Sequence, residues 1–562
     1  MSKIVIYQLF PRLFGNQNPT CLPNGTLQEN GVGKFDDIDL AALTAIKRLS
    51  VTHIWLTGIL EHASTTDYSA YGIPNVEPSL VKGKAGSPYA IRDYWDVSPD
   101  LAHDIPNRMD EFVNLVERCH TLGLKVIIDF IPNHLFRQYY SDVKPNDVAD
   151  FGADDNPELS FSPQNNFYWL PDTTFISPIR GRYRESPARA TGNDCFIPNP
   201  GPNDWYETVK LNYGVDYLNG HSTHFDPVPD TWYKMLDILT FWANKGVDGF
   251  RCDMAEMVPV AFWAWVIPKI KALNSHPLFI AEIYKTEYYR DYIKSGFDYL
   301  YDKVGLYDTL KGVSRGECSA SDISLCWQRL GDLQPYMLNF LENHDEQRIA
   351  SDFFLSNPFR VLPALVVSTC LNTAPFMLYS GQEFGERGMD EEGFSSLDGR
   401  TSIFDYWSVE TLRRFNHHGQ FHAEQLYDFE QELYNLYIKL FSLLSSSPAL
   451  SSGATFDLVY ANLFHDHFQP YRHFAFLKHV KTPTEETLLV AVNFSEIPAH
   501  LHIHIPEHAF EFLNIPDYLL LPDDVLFGSE DSIDKASMPV LSSTTPFPVH
   551  LPAYGAVIIR FH

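Results

Sequence analysis

The stretch Gly-Val-Asp-Gly-Phe-Arg-Cys-Asp at residues 246–253 decides the fold, because it is a short apolar run that ends in a carboxylate. Two further runs end in the same way: Leu-Phe-Ile-Ala-Glu at 278–282 and Met-Leu-Asn-Phe-Leu-Glu-Asn-His-Asp at 337–345. Such runs are typical of buried parallel strands with a polar residue at the carboxyl end. A (β/α)8 barrel collects its chemistry at that end. The runs therefore predict an α/β barrel with three carboxylates at one face.

Outward from these runs, strand-like and helix-like segments alternate along the chain. Strands are predicted at 5–10, 53–57, 125–130, 247–250, 278–281, 297–301, 337–341 and 375–379. Helices are predicted at 40–49, 108–122, 232–244, 260–273 and 426–444. This alternation is typical of βαβ units that build a parallel sheet.

The alternation breaks twice, which predicts two further domains. Residues 135–220 hold Pro, Asn, Asp and Gly clusters with aromatic islands, and they are too many for a simple loop. Beyond residue 448 the pattern changes to short alternating strands, as in an antiparallel β-sandwich. We therefore expect a catalytic barrel at 1–134 and 221–448, an inserted domain at 135–220, and a C-terminal β-sandwich domain at 449–562.

Composition narrows the class of protein. The chain has 562 residues, 45% of them hydrophobic and 20% charged, which suits an ordinary globular enzyme of several domains. The formal net charge of −29 argues against nucleic acid or an anionic membrane as partner. We see no apolar stretch of the roughly 18 residues that a membrane span needs, and no export signal. Seven scattered cysteines without a Cys-x-x-Cys pair predict neither a disulfide framework nor a zinc site, so we expect a cytoplasmic protein.

Four segments, in their order, resemble the signatures of the α-amylase superfamily, glycoside hydrolase family 13. They are Asp-Phe-Ile-Pro-Asn-His at 129–134, Gly-Phe-Arg-Cys-Asp at 249–253, Glu282, and Asn-His-Asp at 343–345. The resemblance implies a (β/α)8 TIM barrel with a small domain inserted after the third strand. It also implies a glycosidase that acts with retention of configuration on starch or glycogen oligosaccharides.

The resemblance also implies roles for the three carboxylates. Asp253 would be the nucleophile, Glu282 the general acid/base, and Asp345 the transition-state stabiliser. A carboxyl pair about 5–5.5 Å apart is what retention requires. Arg251 lies two residues before Asp253 on the same strand face, where its positive charge would keep the nucleophile ionised.

Substrate-binding residues are implied in the same way. His134 and His344 would donate hydrogen bonds to the reacting sugar. Tyr89, in Gly-Ser-Pro-Tyr-Ala-Ile-Arg-Asp-Tyr at 86–94, would stack under that sugar. The next residue is Ala90, where members that trim single glucose units commonly have Asp. This departure argues against a glucosidase of that subgroup.

The calcium site of the family is expected to be disturbed. The insert has Thr-Val-Lys-Leu-Asn at 208–212 in place of Gln-Pro-Asp-Leu-Asn, and Glu256-Met257 follows the nucleophile in place of Lys-His. Lys210 cannot bind a cation and Met257 offers only its carbonyl, so Asn133 is left as the one metal-ligand candidate. No cofactor is predicted to be required. Two alternatives stay open for this position: Lys210 supplies the positive charge, or the insert has shifted register and another acidic residue binds a structural calcium.

We interpret the chain as a hydrolase of α-1,4-glucosidic bonds in malto-oligosaccharides. Two alternatives stay open. A transglycosylase like the maltosyltransferases that use maltose 1-phosphate is suggested by Gly83-Lys84, by 86–91, and by Pro-Val-Ala-Phe-Trp at 259–263. A non-catalytic glucan-binding protein on the same fold is the other, although such proteins typically lose members of the carboxylate set. The substrate, endo or exo action, the oligomeric state and protein partners are not specified by the sequence.

Overall fold

The computed structural model describes residues 3–273, 276–465, 467–482, 484–515, 520–533 and 540–561. Eight parallel strands form a closed barrel: β1 Val5–Leu9, β2 His53–Leu56, β3 Lys125–Phe130, β4 Gly249–Cys252, β5 Leu278–Ala281, β6 Tyr299–Tyr301, β7 Met337–Phe340 and β8 Phe376–Tyr379. Each strand pairs with its neighbours in sequence order, and β1 closes the barrel against β8. The predicted α/β barrel is confirmed.

The barrel interior is filled by alternate side chains of the strands. Ile6, Trp55, Ile127, Ile280 and Met377 pack there with other buried apolar residues. Because successive side chains of a strand point to opposite faces, the remaining apolar residues of these runs face the surrounding helices. This is why the barrel strands appear in the sequence as continuous apolar runs.

One strand lies two residues later than predicted. We expected a strand at 247–250, but β4 spans Gly249–Cys252, with Gly249 beside Ile127 of β3. The backbone N–H of Val126 donates to the Asp248 side chain at 2.8 Å. The Asp248 side chain therefore accepts the Val126 N–H in place of a backbone carbonyl. Regular pairing of β4 with β3 begins at the next residue, Gly249.

Helices surround the barrel and support the C-terminal domain. Those of the barrel span Leu40–Lys47, Arg108–Thr121, Asp230–Asn244, Val260–Lys271, Tyr289–Lys294, Asp308–Arg315, Asp322–Leu330, Leu362–Cys370, Glu410–Asn416 and Asp428–Ser446. The predicted helices agree with these bounds to within two residues. No helix of the described residues is both long enough and apolar enough to cross a membrane.

Residues 134–223, which precede the helix Asp230–Asn244, form small antiparallel sheets rather than a barrel unit. They pair His134–Phe136 with Thr208–Lys210, Trp169–Leu170 with Ala188–Arg189, Phe175–Ile176 with Arg184–Glu185, and Val215–Asp216 with Ser222–Thr223. After β2, a hairpin that we did not predict pairs Leu60–His62 with Ile91–Val97. It carries the 86–94 segment towards the barrel mouth.

The C-terminal part is antiparallel, as expected. One five-stranded sheet contains Ala454–Asp457, His473–Val480, Glu486–Asn493, Ala556–Phe561 and Pro522–Phe527 in that spatial order. A separate two-stranded ribbon pairs Ala499–Ile503 with Phe547–Leu551. The limits proposed for the three domains stay predictions.

Candidate active site

The three predicted carboxylates lie at the carboxyl ends of barrel strands. Asp253 directly follows β4, Glu282 directly follows β5, and Asp345 lies in the loop after β7. Asp253 and Glu282 are buried, whereas the Asp345 side chain is 43% exposed. Parallel strands end at the same face of a barrel, so side chains far apart in the sequence are brought to one cavity.

A single guanidinium joins the two buried carboxylates. Arg251 Nη1 lies 2.9 Å from Asp253 Oδ1, and Nη2 lies 2.8 Å from Glu282 Oε2. Arg251 Nη1 also lies 3.2 Å from Asp129 Oδ1, and its Nε donates to the Tyr301 hydroxyl at 3.2 Å. The guanidinium is therefore fixed from β3, β4, β5 and β6, which orients both carboxylates.

Burial and charge set the protonation of this group. Burial raises the pKa of Asp253 well above its ordinary value, and the neighbouring Glu282 carboxylate raises it further, while Arg251 opposes both effects. Burial also raises the pKa of Asp129 to about 6, again against the effect of Arg251. Arg251 supplies one positive charge to the carboxylates of Asp129, Asp253 and Glu282, so it cannot offset the effect of burial on all of them.

Glu282 is held by donors on both of its oxygens. The Tyr284 hydroxyl donates to Oε1 at 2.6 Å, and the backbone N–H of Met254 donates to Oε2 at 2.7 Å. Glu256 accepts the backbone N–H groups of Tyr284 and Lys285 at 3.0 and 2.9 Å, which fixes the loop after β5. These contacts give Glu282 a defined orientation towards the cavity.

His344 connects Tyr89 to the third carboxylate. Its Nε2 lies 2.5 Å from the Tyr89 hydroxyl and 3.1 Å from Asp345 Oδ2, and the Tyr89 ring stacks on the imidazole at 5.3 Å. Gln8 Nε2 donates to Nδ1 at 2.8 Å, so Nε2 carries the ring proton. Burial and the charge of Arg251 lower the pKa of His344 to about 3, which keeps the imidazole neutral.

His134 also lines the cavity. Its ring packs on Trp205 at 5.1 Å between centroids, and burial together with the charge of Lys210 lowers its pKa to about 3. A neutral imidazole can donate one hydrogen bond to a sugar hydroxyl without the desolvation cost of a cation.

These side chains line one cavity of about 260 Å³. Tyr89, His134, Asp253, Glu282 and Asp345 all face it. Further walls come from residues that we did not predict: Lys82, Ser87, Trp205, Glu207, Thr208, Met254, Tyr284, Ile403 and Phe404. Aromatic surfaces beside hydrogen-bonding groups suit a sugar, which has apolar ring faces and polar edges.

Asn133 does not stand in a calcium site. Lys210, which is 1% exposed, places Nζ at 2.7 Å from Asn133 Oδ1 and at 2.6 Å from Asp194 Oδ1. The Asn133 amide nitrogen donates to the Gly192 carbonyl at 2.8 Å. Calcium binds six to eight oxygens, and an ammonium group among them would repel it. The residues present therefore do not fit calcium at this position, and a Lys–Asn–Asp contact ties the insert to the loop after β3.

The residues predicted to touch substrate all line the cavity, except Arg251 and His344, which lie next to it. Arg251 holds the carboxylates from below, and His344 contacts Tyr89 and Asp345. Tyr284 could have been found from the sequence, because it follows Glu282 by two residues at a strand exit. Gln8 and Tyr301 carried no such signal, since both are uncharged residues of the strands β1 and β6.

Comparison with known proteins agrees with this geometry. The family model "Alpha amylase, catalytic domain" matches residues 8–294, which is half of the chain. The chain belongs to the α-amylase family. It is an α-amylase-family glycoside hydrolase, and the family resemblance inferred from the four segments is confirmed.

Two relatives of the α-amylase family match different shares of this chain. The match to "Alpha-amylase 3" of Dictyoglomus thermophilum is 24% identical and covers 80% of this chain and 78% of that protein. The match to "Alpha-1,4-glucan:maltose-1-phosphate maltosyltransferase" of Cereibacter sphaeroides is 27% identical and covers 42% of this chain and 32% of that protein. A maltogenic α-amylase from Thermotoga neapolitana has the same fold, with TM-score 0.62, 19% identity, and coverage of 99% of this chain and 98% of that one.

Proposed function

We propose that this α-amylase-family enzyme hydrolyses α-1,4-glucosidic bonds of malto-oligosaccharides through a covalent glycosyl-enzyme. The observation that carries the proposal is the Arg251 guanidinium, which contacts Asp253 at 2.9 Å and Glu282 at 2.8 Å at the cavity floor. Two carboxylates held by one guanidinium favour the short separation of a retaining enzyme over the wider one that leaves room for water between them.

In the first step, Asp253 attacks the anomeric carbon while Glu282 gives its proton to the departing glycosidic oxygen. The carbon–oxygen bond breaks, and an ester forms between the sugar and Asp253. In the second step, Glu282 takes a proton from water, the water oxygen attacks the same carbon, and the Asp253 ester bond breaks. Glu282 therefore begins and ends the cycle with its proton, and Asp253 begins and ends it ionised.

The remaining groups suit recognition of a glucose ring. We assign the Tyr89 ring to stacking and the neutral His134 to donation towards a sugar hydroxyl. His344, the second donor implied by the family resemblance, would donate to a sugar only in exchange for the contacts of its Nε2 with Tyr89 and Asp345. Asp345 is the most exposed of the three carboxylates, and it faces the cavity, where it can accept from two adjacent hydroxyls. Such contacts help catalysis when they strengthen as the ring flattens in the transition state.

Transfer of a maltosyl group is the second candidate. Lys82 lines the cavity and could meet a phosphate group, and part of the chain is similar to a maltose-1-phosphate maltosyltransferase. However, Lys82 Nζ already pairs with the buried Glu207 carboxylate at 2.9 Å. A phosphate would have to compete with Glu207 or meet its repulsion, so the geometry favours hydrolysis.

The deciding experiment is product analysis on maltoheptaose with and without maltose 1-phosphate. Hydrolysis predicts shorter maltodextrins in both reactions, with maltose 1-phosphate left intact. Consumption of maltose 1-phosphate with chain lengthening would establish the transferase instead. The Asp253→Asn variant, which removes the proposed nucleophile, is the control for contaminating activity.

We also propose a cytoplasmic location. All seven cysteines are unpaired thiols, and Cys119, Cys252 and Cys370 are buried. Free thiols of this number persist in a reducing compartment. Titration of the denatured protein, purified without reductant, should find seven thiols; fewer would indicate an oxidising compartment.

A further inference from the structure

Six histidines lie together on the C-terminal domain and have no part in the proposed reaction. We call them the histidine face: His465, His467, His500, His502, His504 and His550. Five are exposed and His504 is half-buried. In each of three pairs the two rings contact each other.

Strand geometry explains how part of this face forms. His500 and His502 alternate with the buried Leu501 and Ile503, so both imidazoles point outward from the strand Ala499–Ile503. His550 lies directly opposite His500 in the antiparallel pair. Their ring centroids are 4.2 Å apart and the rings are nearly perpendicular, at 82°.

The loop before the strand His473–Val480 supplies the other two rings. His467 lies over His502, with centroids 4.2 Å apart and an angle of 35°. His465 stacks on His504 at 3.6 Å and 17°. Nearly parallel stacked rings direct their in-plane nitrogen lone pairs side by side, so this last pair is poorly placed to share one ion.

His502 lies near the other imidazoles of the ribbon, since His500 is two residues before it on the same face of the strand and His550 is opposite His500. Burial lowers the pKa of His502, and the nearby His467, His550 and His500 lower it further. Metal ligation requires deprotonated ring nitrogens, and the net charge of −29 draws cations to the protein.

We propose that His467, His500, His502 and His550 form a binding site for one divalent transition-metal ion of the Zn²⁺ class. Imidazole is a preferred ligand of Zn²⁺, Cu²⁺ and Ni²⁺. Zn–N bonds of about 2.0–2.1 Å separate two ligating rings by about 5 Å between centroids. Among the described residues, the group of three potential ligands whose ligand atoms lie within 4.8 Å of one another is Glu61, Asp93 and Asp142, so metal binding at the histidine face requires rotation of its exposed imidazoles. A cavity of about 260 Å³ beside the face is lined by His467 and His500.

The test is titration of the full chain with Zn²⁺ by calorimetry, after dialysis against a chelator. We expect one ion per chain with micromolar Kd, and a weakening of about tenfold or more in His500→Thr and in His550→Thr, since each loses one ligand. Threonine keeps the strand preference at both positions. His508→Ala is the matched control, because His508 is exposed in the same domain but contacts Tyr460 and Phe456.

Each further outcome decides the matter. No Zn²⁺ binding by the wild type, or wild-type affinity in both threonine variants, would overturn the proposal. The Asp253→Asn variant should bind as the wild type does; loss there would place the ion at the barrel cavity instead. With Cu²⁺ as probe, electron paramagnetic resonance should detect coupling to several nitrogens, and this signal should diminish in His500→Thr.

Discussion

Lys210 Nζ lies 2.7 Å from Asn133 Oδ1, so an ammonium group stands beside the side chain that family resemblance names as a calcium ligand. The same nitrogen lies 2.6 Å from Asp194 and 5.2 Å from the centre of the Tyr217 ring. Asn133 belongs to the loop after β3, whereas the other three residues belong to the insert. The Lys210 ammonium therefore joins the insert to the loop after β3, and this contact does not depend on the concentration of free metal.

Chelation should leave activity unchanged because of this contact. We expect the same kcat/KM on maltoheptaose before and after dialysis against a strong calcium chelator. A large loss of activity that added calcium restores would contradict the replacement of calcium by Lys210.

Removing the Lys210 ammonium should destabilise the protein more than removing calcium does. Lys210→Met keeps the length of the side chain but leaves Asn133 Oδ1 and Asp194 without their buried partner. We expect the free energy of unfolding to fall by about 2–4 kcal/mol, somewhat less than for a fully buried ion pair because the Asp194 side chain is 39% exposed. The matched control is Lys144→Met, which breaks a pair with Asp150 in the insert; because the Lys144 side chain is 25% exposed, where that of Lys210 is 1% exposed, this change should cost less than about 1 kcal/mol. If urea titrations show the same loss of unfolding free energy in both variants, Lys210 contributes no more to stability than Lys144 does.

The barrel was predictable because its signal is local. The runs at 125–130 and 278–281 coincide with β3 and β5, since each contains an uninterrupted apolar segment, 126–128 or 278–281, that a carboxylate follows directly. The start of β4 was not predictable, because it depends on a hydrogen bond from Val126 to the Asp248 side chain. That bond joins segments more than 100 residues apart. The pattern of apolar residues within one segment does not predict it.

The site was predictable to a lesser extent. The carboxylates and Arg251 are charged residues at or after strand ends, and the family signatures that contain them implied their roles. Gln8 and Tyr301 also contact the site, but they are uncharged residues on β1 and β6, and only closure of the barrel brings them to His344 and Arg251. The pairing of Lys82 with Glu207 likewise depends on how the insert folds over the barrel mouth.

The nucleophile and the general acid should be separable by substrate. Asp253→Asn and Glu282→Gln should each lower kcat on maltoheptaose by several orders of magnitude. A maltosyl fluoride needs little acid assistance, because fluoride is a good leaving group. It should therefore restore formation of the glycosyl-enzyme in Glu282→Gln but not in Asp253→Asn, as mass spectrometry of the trapped ester would show. Unrescued loss in both variants, with lowered melting temperatures, would indicate structural roles.

Arg251 should control the acidic side of the pH–rate profile. Asp253 must be ionised to attack, burial raises its pKa, and Arg251 lowers it. Removing the charge in Arg251→Met should raise that pKa further, so activity on maltosyl fluoride should be lost at a higher pH as the solution is acidified. We expect the acidic limb of kcat/KM to move up by about one unit or more. Arg251→Lys keeps a positive charge and should move it less; an acidic limb at the wild-type position in Arg251→Met would contradict this electrostatic role.

The first product should have the α configuration at its anomeric carbon. Attack by Asp253 inverts that carbon, and attack by water on the glycosyl-enzyme inverts it again, so the α bond of the substrate yields an α-hemiacetal. Proton NMR of fresh hydrolysate resolves the α and β anomeric signals before mutarotation mixes them. The α signal of the reducing end formed by cleavage should appear first, and the β signal should grow afterwards at the rate of mutarotation measured with pure α-maltose. An initial β signal would mean that water attacks directly, and Asp253 would then be a general base rather than the nucleophile.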